Sequence, residues 1–184
     1  MNKVTFRYGV VGASKTANML MMRYNYLERG KMPVLLKPKI ENRDGATTIK
    51  SRIGLSAECL FAEDYIENPF DCDIIIVDES QFLTVELVED LISYADKKDI
   101  PIVFYGLKTD FMSNLFEGSK RIIELADELE EIPTICWCGR KARFNARIIN
   151  GEIVDEGTQI VLGGNKLYAP LCRQHYLSKN LGDD

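Results

Sequence analysis

Gly9, Lys15 and Thr16 fall at the spacing of a phosphate-binding loop, and the stretch GVVGASKT departs from that pattern only at Ser14, where a second glycine is usual. Such a loop curls backbone N–H groups toward an anion at a helix N-terminus. It places a lysine on the β/γ-phosphates and a hydroxyl on Mg²⁺. Taken alone, the residues leave this reading open beside an ordinary strand-turn-helix. Further along, an apolar run ends in Asp78 and Glu79, followed by Gln81 and Phe82. After a phosphate loop, one carboxylate orients Mg²⁺ and the other serves as a base, either for phosphoryl transfer to a hydroxyl or for hydrolysis. A solvated strand end is the bland alternative.

A second constellation is built from soft ligands. Cys136 and Cys138 form a C-x-C, and Cys172 and His175 form a C-x-x-H that uses the chain's only histidine. Two close pairs flanking a glycine-rich stretch match a tetrahedral zinc site. With four protein ligands no position stays open, so the metal braces the fold and does not activate water. The other reading is a free cysteine pair with a surface histidine. Cys59 and Cys72 read as ordinary buried or loop thiols.

The elements that must position these groups follow from periodicity. Val4 to Tyr8 reads as a strand and Lys15 to Gly30 as a helix, with Ala17, Leu20, Met21, Tyr24 and Leu27 on one face. Met32 to Leu36 then completes a βαβ unit, which favours a parallel sheet. The polar stretch after Leu36 reads as a surface excursion. Asp73 to Val77 is a short β-branched run suited to a central parallel strand, so Asp78 and Glu79 reach the C-terminal sheet edge, where open α/β proteins bind ligands. Thr84 caps a helix to Lys98, Ile102 to Tyr105 is another buried strand, and Gly118 to Ile132 reads as a last amphipathic helix with Leu129 facing in. The expected fold class is α/β: a phosphate-loop parallel sheet flanked by helices, over residues 1–133, with a small β-rich zinc-binding domain over 134–184.

Composition narrows the function. With 184 residues, 46% hydrophobic and 28% charged, the chain suits one globular unit with a small appendage. A net charge of −5 and a pI near 5.1 argue against a large nucleic-acid footprint but allow a small anionic ligand in a local pocket. No apolar run is long enough for a membrane span, and MNKVTFRYG lacks a signal-peptide core, so no membrane association and a cytoplasmic location are expected.

In order, the chain reads GVVGASKT, SRIGLS, VDESQFL, YGLKTDF, LFEGS, TICWCGRKA and GGNKLYAPLCRQHY. This succession, over nearly the whole length, resembles the thymidine kinases of the cellular, zinc-containing type, including bacterial members. The resemblance implies an enzyme that uses ATP and Mg²⁺ to turn thymidine into dTMP for DNA synthesis, with structural zinc and a homotetrameric assembly. It assigns Gly9, Gly12, Ala13, Ser14, Lys15 and Thr16 to the ATP phosphates, Asp78 to the metal with Gln81 beside it, and Glu79 to the role of base toward the 5′-hydroxyl. Phe82, Phe111 and Phe116 would line the thymine pocket and Tyr168 would lie beside sugar or base; from the residues alone, the phenylalanines could equally be core. A zinc-anchored lasso, about Thr158 to Tyr168, would close over thymine. Arg43 and Arg52 match a loop near the phosphates. Three departures stand out: Ser14, Met112-Ser113 where many members have Arg-Gly, and Glu41 where aspartate is common. The competing readings are a nucleotide-binding regulatory protein with little or no turnover, and a zinc-bearing ATPase acting on nucleic acid, which the acidic charge disfavours.

Overall fold

Parallel pairing of neighbouring strands needs long connections that cross over the sheet, and the helical stretches between the apolar runs supply them. In this computed structural model, which describes residues 3–41, 47–160 and 167–182, six strands pair this way. They are β1 (Val4–Tyr8), β2 (Pro33–Lys37), β5 (Leu60–Phe61), β6 (Ile74–Val77), β7 (Ile102–Gly106) and β8 (Glu128–Glu131), in the order β5-β2-β6-β7-β1-β8. Every pairing among them is parallel. β3 (Thr48–Lys50) and β4 (Ser56–Glu58) form a separate antiparallel hairpin within the stretch expected to be loop. Arg43 lies outside the described residues.

Helices cover both faces. α1 (Lys15–Glu28) packs Met19 and Leu20 against Leu35, Ile74, Ile76 and Val103, while α3 (Val85–Lys98) and α4 (Glu117–Leu125) cover Phe6, Ile75, Val77 and Phe104 on the opposite side. A short α2 (Ala62–Glu67) joins the second layer. Thr84 accepts a hydrogen bond from the Leu87 N–H, the N-cap expected for α3, a contact typically contributing about 1 kcal/mol.

Two expectations are corrected here. The buried face of α1 is Ala17, Met19 and Leu20 with Met22 and Tyr26 partly covered, whereas Met21, Tyr24 and Leu27 are 50%, 58% and 43% exposed. Several apolar stripes coexist on this helix, and contact with the sheet selects only one. The predicted helix from Gly118 to Ile132 ends at Leu125, because Ala126 turns to an extended backbone, φ −72° and ψ 138°. The acidic Glu-Leu-Glu-Glu stretch then pairs with β1 as edge strand β8, where Leu129 is 50% exposed. Lys3 and Arg7 pair with Glu128 and Glu130 across that edge, a charge match that only the tertiary pairing creates.

The remaining strands form their own sheet. β9 (Phe144–Ile149) is central, antiparallel to β10 (Glu152–Val154) on one side and β11 (Tyr168–Leu171) on the other, and the short helix α5 (Arg173–Leu177) follows. A small cluster of Cys136, Ala146, Ile153, Leu171 and Cys172 holds it together. Among the described residues no helix is long and apolar enough to cross a membrane.

Candidate active site

The C-terminal ends of β1, β6 and β7 open on one cleft of about 410 Å³. Its wall includes Gly12, Ser14, Lys15 and Thr16 from the loop after β1, and Asp78, Glu79, Gln81 and Phe82 from the turn after β6. Phe111 and Phe116 after β7 and Tyr168 on β11 complete it. Gly9 and Ala13 lie beneath the loop instead: a Cβ on Gly9 would stand 2.6 Å from the Ile132 carbonyl oxygen and 2.9 Å from the Ala13 Cβ, so a side chain there would push the loop off the sheet.

The loop is closed on itself by its lysine. Lys15 Nζ donates to the Gly9 and Val10 carbonyl oxygens at 3.0 Å each. Burial lowers its pKa, opposed by the carboxylates of Glu79 and Asp78. Ser14 answers the mismatch in the motif. It caps α1 in the left-handed conformation, φ 56° and ψ 30°, with Gly12 at φ 76°, so the backbone keeps a glycine-type shape although a side chain is present. Its side chain is exposed and the loop is not narrowed. Ser113 does the same at the second departure, with φ 66°, while its hydroxyl donates to Tyr176 Oη at 3.3 Å. A left-handed non-glycine costs roughly 1–2 kcal/mol, of which glycine's larger unfolded-state entropy takes back about 0.5–1. Ser14→Gly is therefore expected to stabilise the protein by about 0.5–1 kcal/mol, a melting-temperature rise of roughly 1–4 °C in a thermal scan.

Thr16 Oγ1 donates to Asp78 Oδ2 at 3.2 Å, and Asp78 Oδ1 accepts the Glu79 N–H at 3.0 Å. Burial, then the neighbouring Glu79 carboxylate, pushes the Asp78 carboxyl up to about 7, so this buried site favours a cation beside it. Glu79 itself sits at φ 49°, a strained conformation of the kind that concentrates at functional sites. Gln81 holds it: Gln81 Oε1 accepts the Leu107 N–H at 3.0 Å, which turns its amide nitrogen onto Glu79 Oε2 at 2.6 Å. The Leu107 N–H can only donate, so the orientation of this amide is fixed chemically. Gln81 thus ties the Glu79 carboxylate to the start of the loop after β7.

Aromatic rings gather at the other end of the cleft. Phe82 and Phe116 meet edge to face at 5.8 Å and 82°. Phe111 is buried beneath the Arg147 guanidinium, 3.7 Å from its ring centre. Arg52 reaches over Gly12 from the turn between β3 and β4. Sequence reasoning missed Asn145. Buried on β9, it accepts the Val11 N–H through Oδ1 and donates to the Thr109 carbonyl through Nδ2, each at 2.8 Å, linking the loop after β1 to the loop after β7. The only signal in sequence was two polar residues two apart, Asn145 and Arg147, in an otherwise apolar strand, which reads by default as a solvated face.

Away from the cleft, the ligand atoms of Cys136, Cys138, Cys172 and His175 lie within 4.8 Å of one another. Tetrahedral zinc with sulfur ligands requires separations of about 3.8 Å. Cys138 and Cys172 sulfurs stand 4.0 Å apart, and His175 Nδ1 stands 3.3 Å from Cys136 Sγ. Burial pushes the Cys136 thiol up, but the Cys138 and Cys172 N–H groups and the His175 ring outweigh it and bring it down to about 6. The Arg140 N–H pulls Cys138 down, yet burial and the adjacent sulfurs leave it raised. Crowded sulfurs with opposed titration form a donor set that suits a thiophilic cation. Trp137 stacks on the His175 ring at 4.2 Å and fixes its plane.

A lysine, a threonine and two carboxylates gathered at the C-terminal edge of a parallel sheet define the class of phosphate-loop proteins equipped for phosphoryl transfer. The family model described as thymidine kinase matches residues 2–176. Thymidine kinase from Streptococcus gordonii strain Challis is 40% identical over 191 residues, covering 100% of both chains. Those of Streptococcus pyogenes serotype M3 and Lactococcus lactis subsp. lactis are each 39% identical, spanning 98% of this chain and 100% of theirs. The chain belongs to the thymidine kinase family.

Proposed function

We propose that the protein transfers the γ-phosphoryl group of ATP to the 5′-hydroxyl of thymidine, giving dTMP and ADP. The observation that carries this reading is that Glu79, gripped by Gln81, shares one cleft with Lys15 and Thr16 on one side and Phe111 and Tyr168 on the other. The loop from Gly9 to Thr16 binds the ATP phosphates. Lys15 exchanges its two loop carbonyls for phosphate oxygens, which restores the charge stabilisation that burial takes from it. Thr16 and Asp78 are the residues that would hold Mg²⁺, whose role is to neutralise phosphate charge. Glu79 accepts the 5′-hydroxyl proton as that oxygen bonds to the γ-phosphorus, and the bond from phosphorus to the β,γ-bridging oxygen breaks. Phe82, Phe111, Phe116 and Tyr168 orient thymine and sugar.

In this reading the chain divides near Pro133 into the nucleotide-binding body, 1–133, and a zinc-braced domain, 134–184, in line with the separate three-stranded sheet and its own small core. Zinc suits the Cys₃His donor set. The exposed stripe of Met21, Tyr24 and Leu27 and the open edge of β8 are where we place subunit contacts of a homo-oligomer, a homotetramer by resemblance, in the cytoplasm. The test is chromatographic detection of dTMP from purified protein with thymidine, ATP and Mg²⁺. ATP binding without dTMP would overturn the kinase reading in favour of a non-catalytic nucleotide binder.

A further inference from the structure

β9 sends Arg147 inward toward the aromatic end of the site, where it is only 4% exposed. A buried guanidinium must find acceptors for its five N–H groups, and here the acceptors come from two separate stretches of chain. NH1 donates to the Thr158 carbonyl at 2.7 Å and NH2 to the Gln159 carbonyl at 3.1 Å. Nε and NH2 both donate to Tyr168 Oη, at 3.0 and 2.8 Å. Its flat face lies 3.7 Å from the Phe111 ring centre, and its carbon is 5.4 Å from that of Tyr168. One side chain therefore ties residues 158 and 159 to residue 168 and clamps both onto Phe111.

Arg147 does not line the cleft, whereas Phe111, Gln159, Ile160 and Tyr168 do. We propose that Arg147 is a positioning residue for the nucleoside: it sets the aromatic end of the site by holding Thr158, Gln159 and Tyr168 against Phe111, and it acts through those residues without touching substrate. The inference rests on the kinase reading. Just before the Thr158 and Gln159 carbonyls, Gly157 adopts φ 133°, a conformation that side chains rarely take, and a Cβ there would fall 3.2 Å from Arg147 NH1. A second brace agrees with this geometry, since Gln159 Nε2 donates to Asp110 Oδ2 at 2.9 Å, on the same loop as Phe111. Lysine cannot replace the fork, because a compact ammonium does not span planar acceptors and stacks poorly on an aromatic ring.

Two variants test this, Arg147→Lys and Gly157→Ala; the second changes an exposed loop residue and preserves the fold if the first does not. Both are expected to raise KM for thymidine roughly ten- to hundredfold, the loss of one or two hydrogen bonds to a charged group, while KM for ATP stays within about twofold. Amide exchange without substrate is expected to speed up over 157–160 and 168–171. Equal rises in both KM values, or an unchanged thymidine KM in both variants, would overturn the proposal. Unchanged exchange over those segments would do so as well. Because exchange is read without turnover, a wild-type protein that fails to phosphorylate thymidine would sink the kinase reading separately.

Discussion

Glu79→Gln is expected to lower kcat for dTMP formation by roughly 10²–10⁴-fold, the usual contribution of a positioned base, with ATP affinity changed by less than about threefold. The substitution is chosen for its small footprint. Glutamine keeps the size of the side chain, and Gln81 Nε2 still finds an oxygen at its 2.6 Å position, so the left-handed turn at φ 49° keeps its brace. What disappears is the ability to accept a proton. The carboxylate also contributes charge, since it draws the pKa of Lys15 up against burial and pushes that of Asp78 up. Neutralising it therefore lets Asp78 ionise more easily. Metal-nucleotide binding should then hold or improve while turnover collapses, a split that steady-state kinetics and equilibrium nucleotide titration separate cleanly. A kcat within about threefold of wild type would assign the base elsewhere.

The sequence made some of this legible and hid the rest for identifiable reasons. Strand-loop-helix at Val4–Glu28, the buried run Ile74–Val77 ending in Asp78 and Glu79, and the Thr84 cap are local features, each signalled by a few adjacent residues. The Cys₃His set was visible from pair spacing alone, although its ligand atoms converge only through the pairing of β9 with β11. What escaped is what tertiary contact decides. Strand β8 looked helical because its acidic residues favour no sheet by themselves; Arg7 on β1 and Lys3 just before it supply the charges that match them. Asn145 and Arg147 escaped for a related reason. A buried polar residue is recognisable only by its acceptors, and theirs are backbone atoms on other elements. Ser14 was misleading in the opposite sense. The motif mismatch concerned a side chain, whereas the loop requires a backbone conformation, which serine adopts at φ 56°.

Stripping the metal, or making Cys172→Ser, is expected to remove about one zinc per chain by elemental analysis and to destabilise residues 134–182 by roughly 5 kcal/mol or more, since structural zinc contributes more than that in small domains. The size follows from how little else holds the segment. Of the five buried residues in its cluster, Cys136 and Cys172 belong to the proposed donor set, leaving Ala146, Ile153 and Leu171 as apolar core, where each side chain contributes at most about 1.5–3 kcal/mol. The two halves of the site should then part company. The body keeps its six-stranded sheet and its loop, so nucleotide binding persists, weakened only by loss of the Asn145 contact to Val11. Thymidine binding should vanish, because Arg147 and Tyr168 stand on β9 and β11, beside the sulfur cluster. Differential scanning calorimetry with and without a chelator, paired with separate ATP and thymidine titrations, reads both effects. A stoichiometric zinc whose removal left thymidine affinity intact would show that the nucleoside pocket does not depend on the cluster.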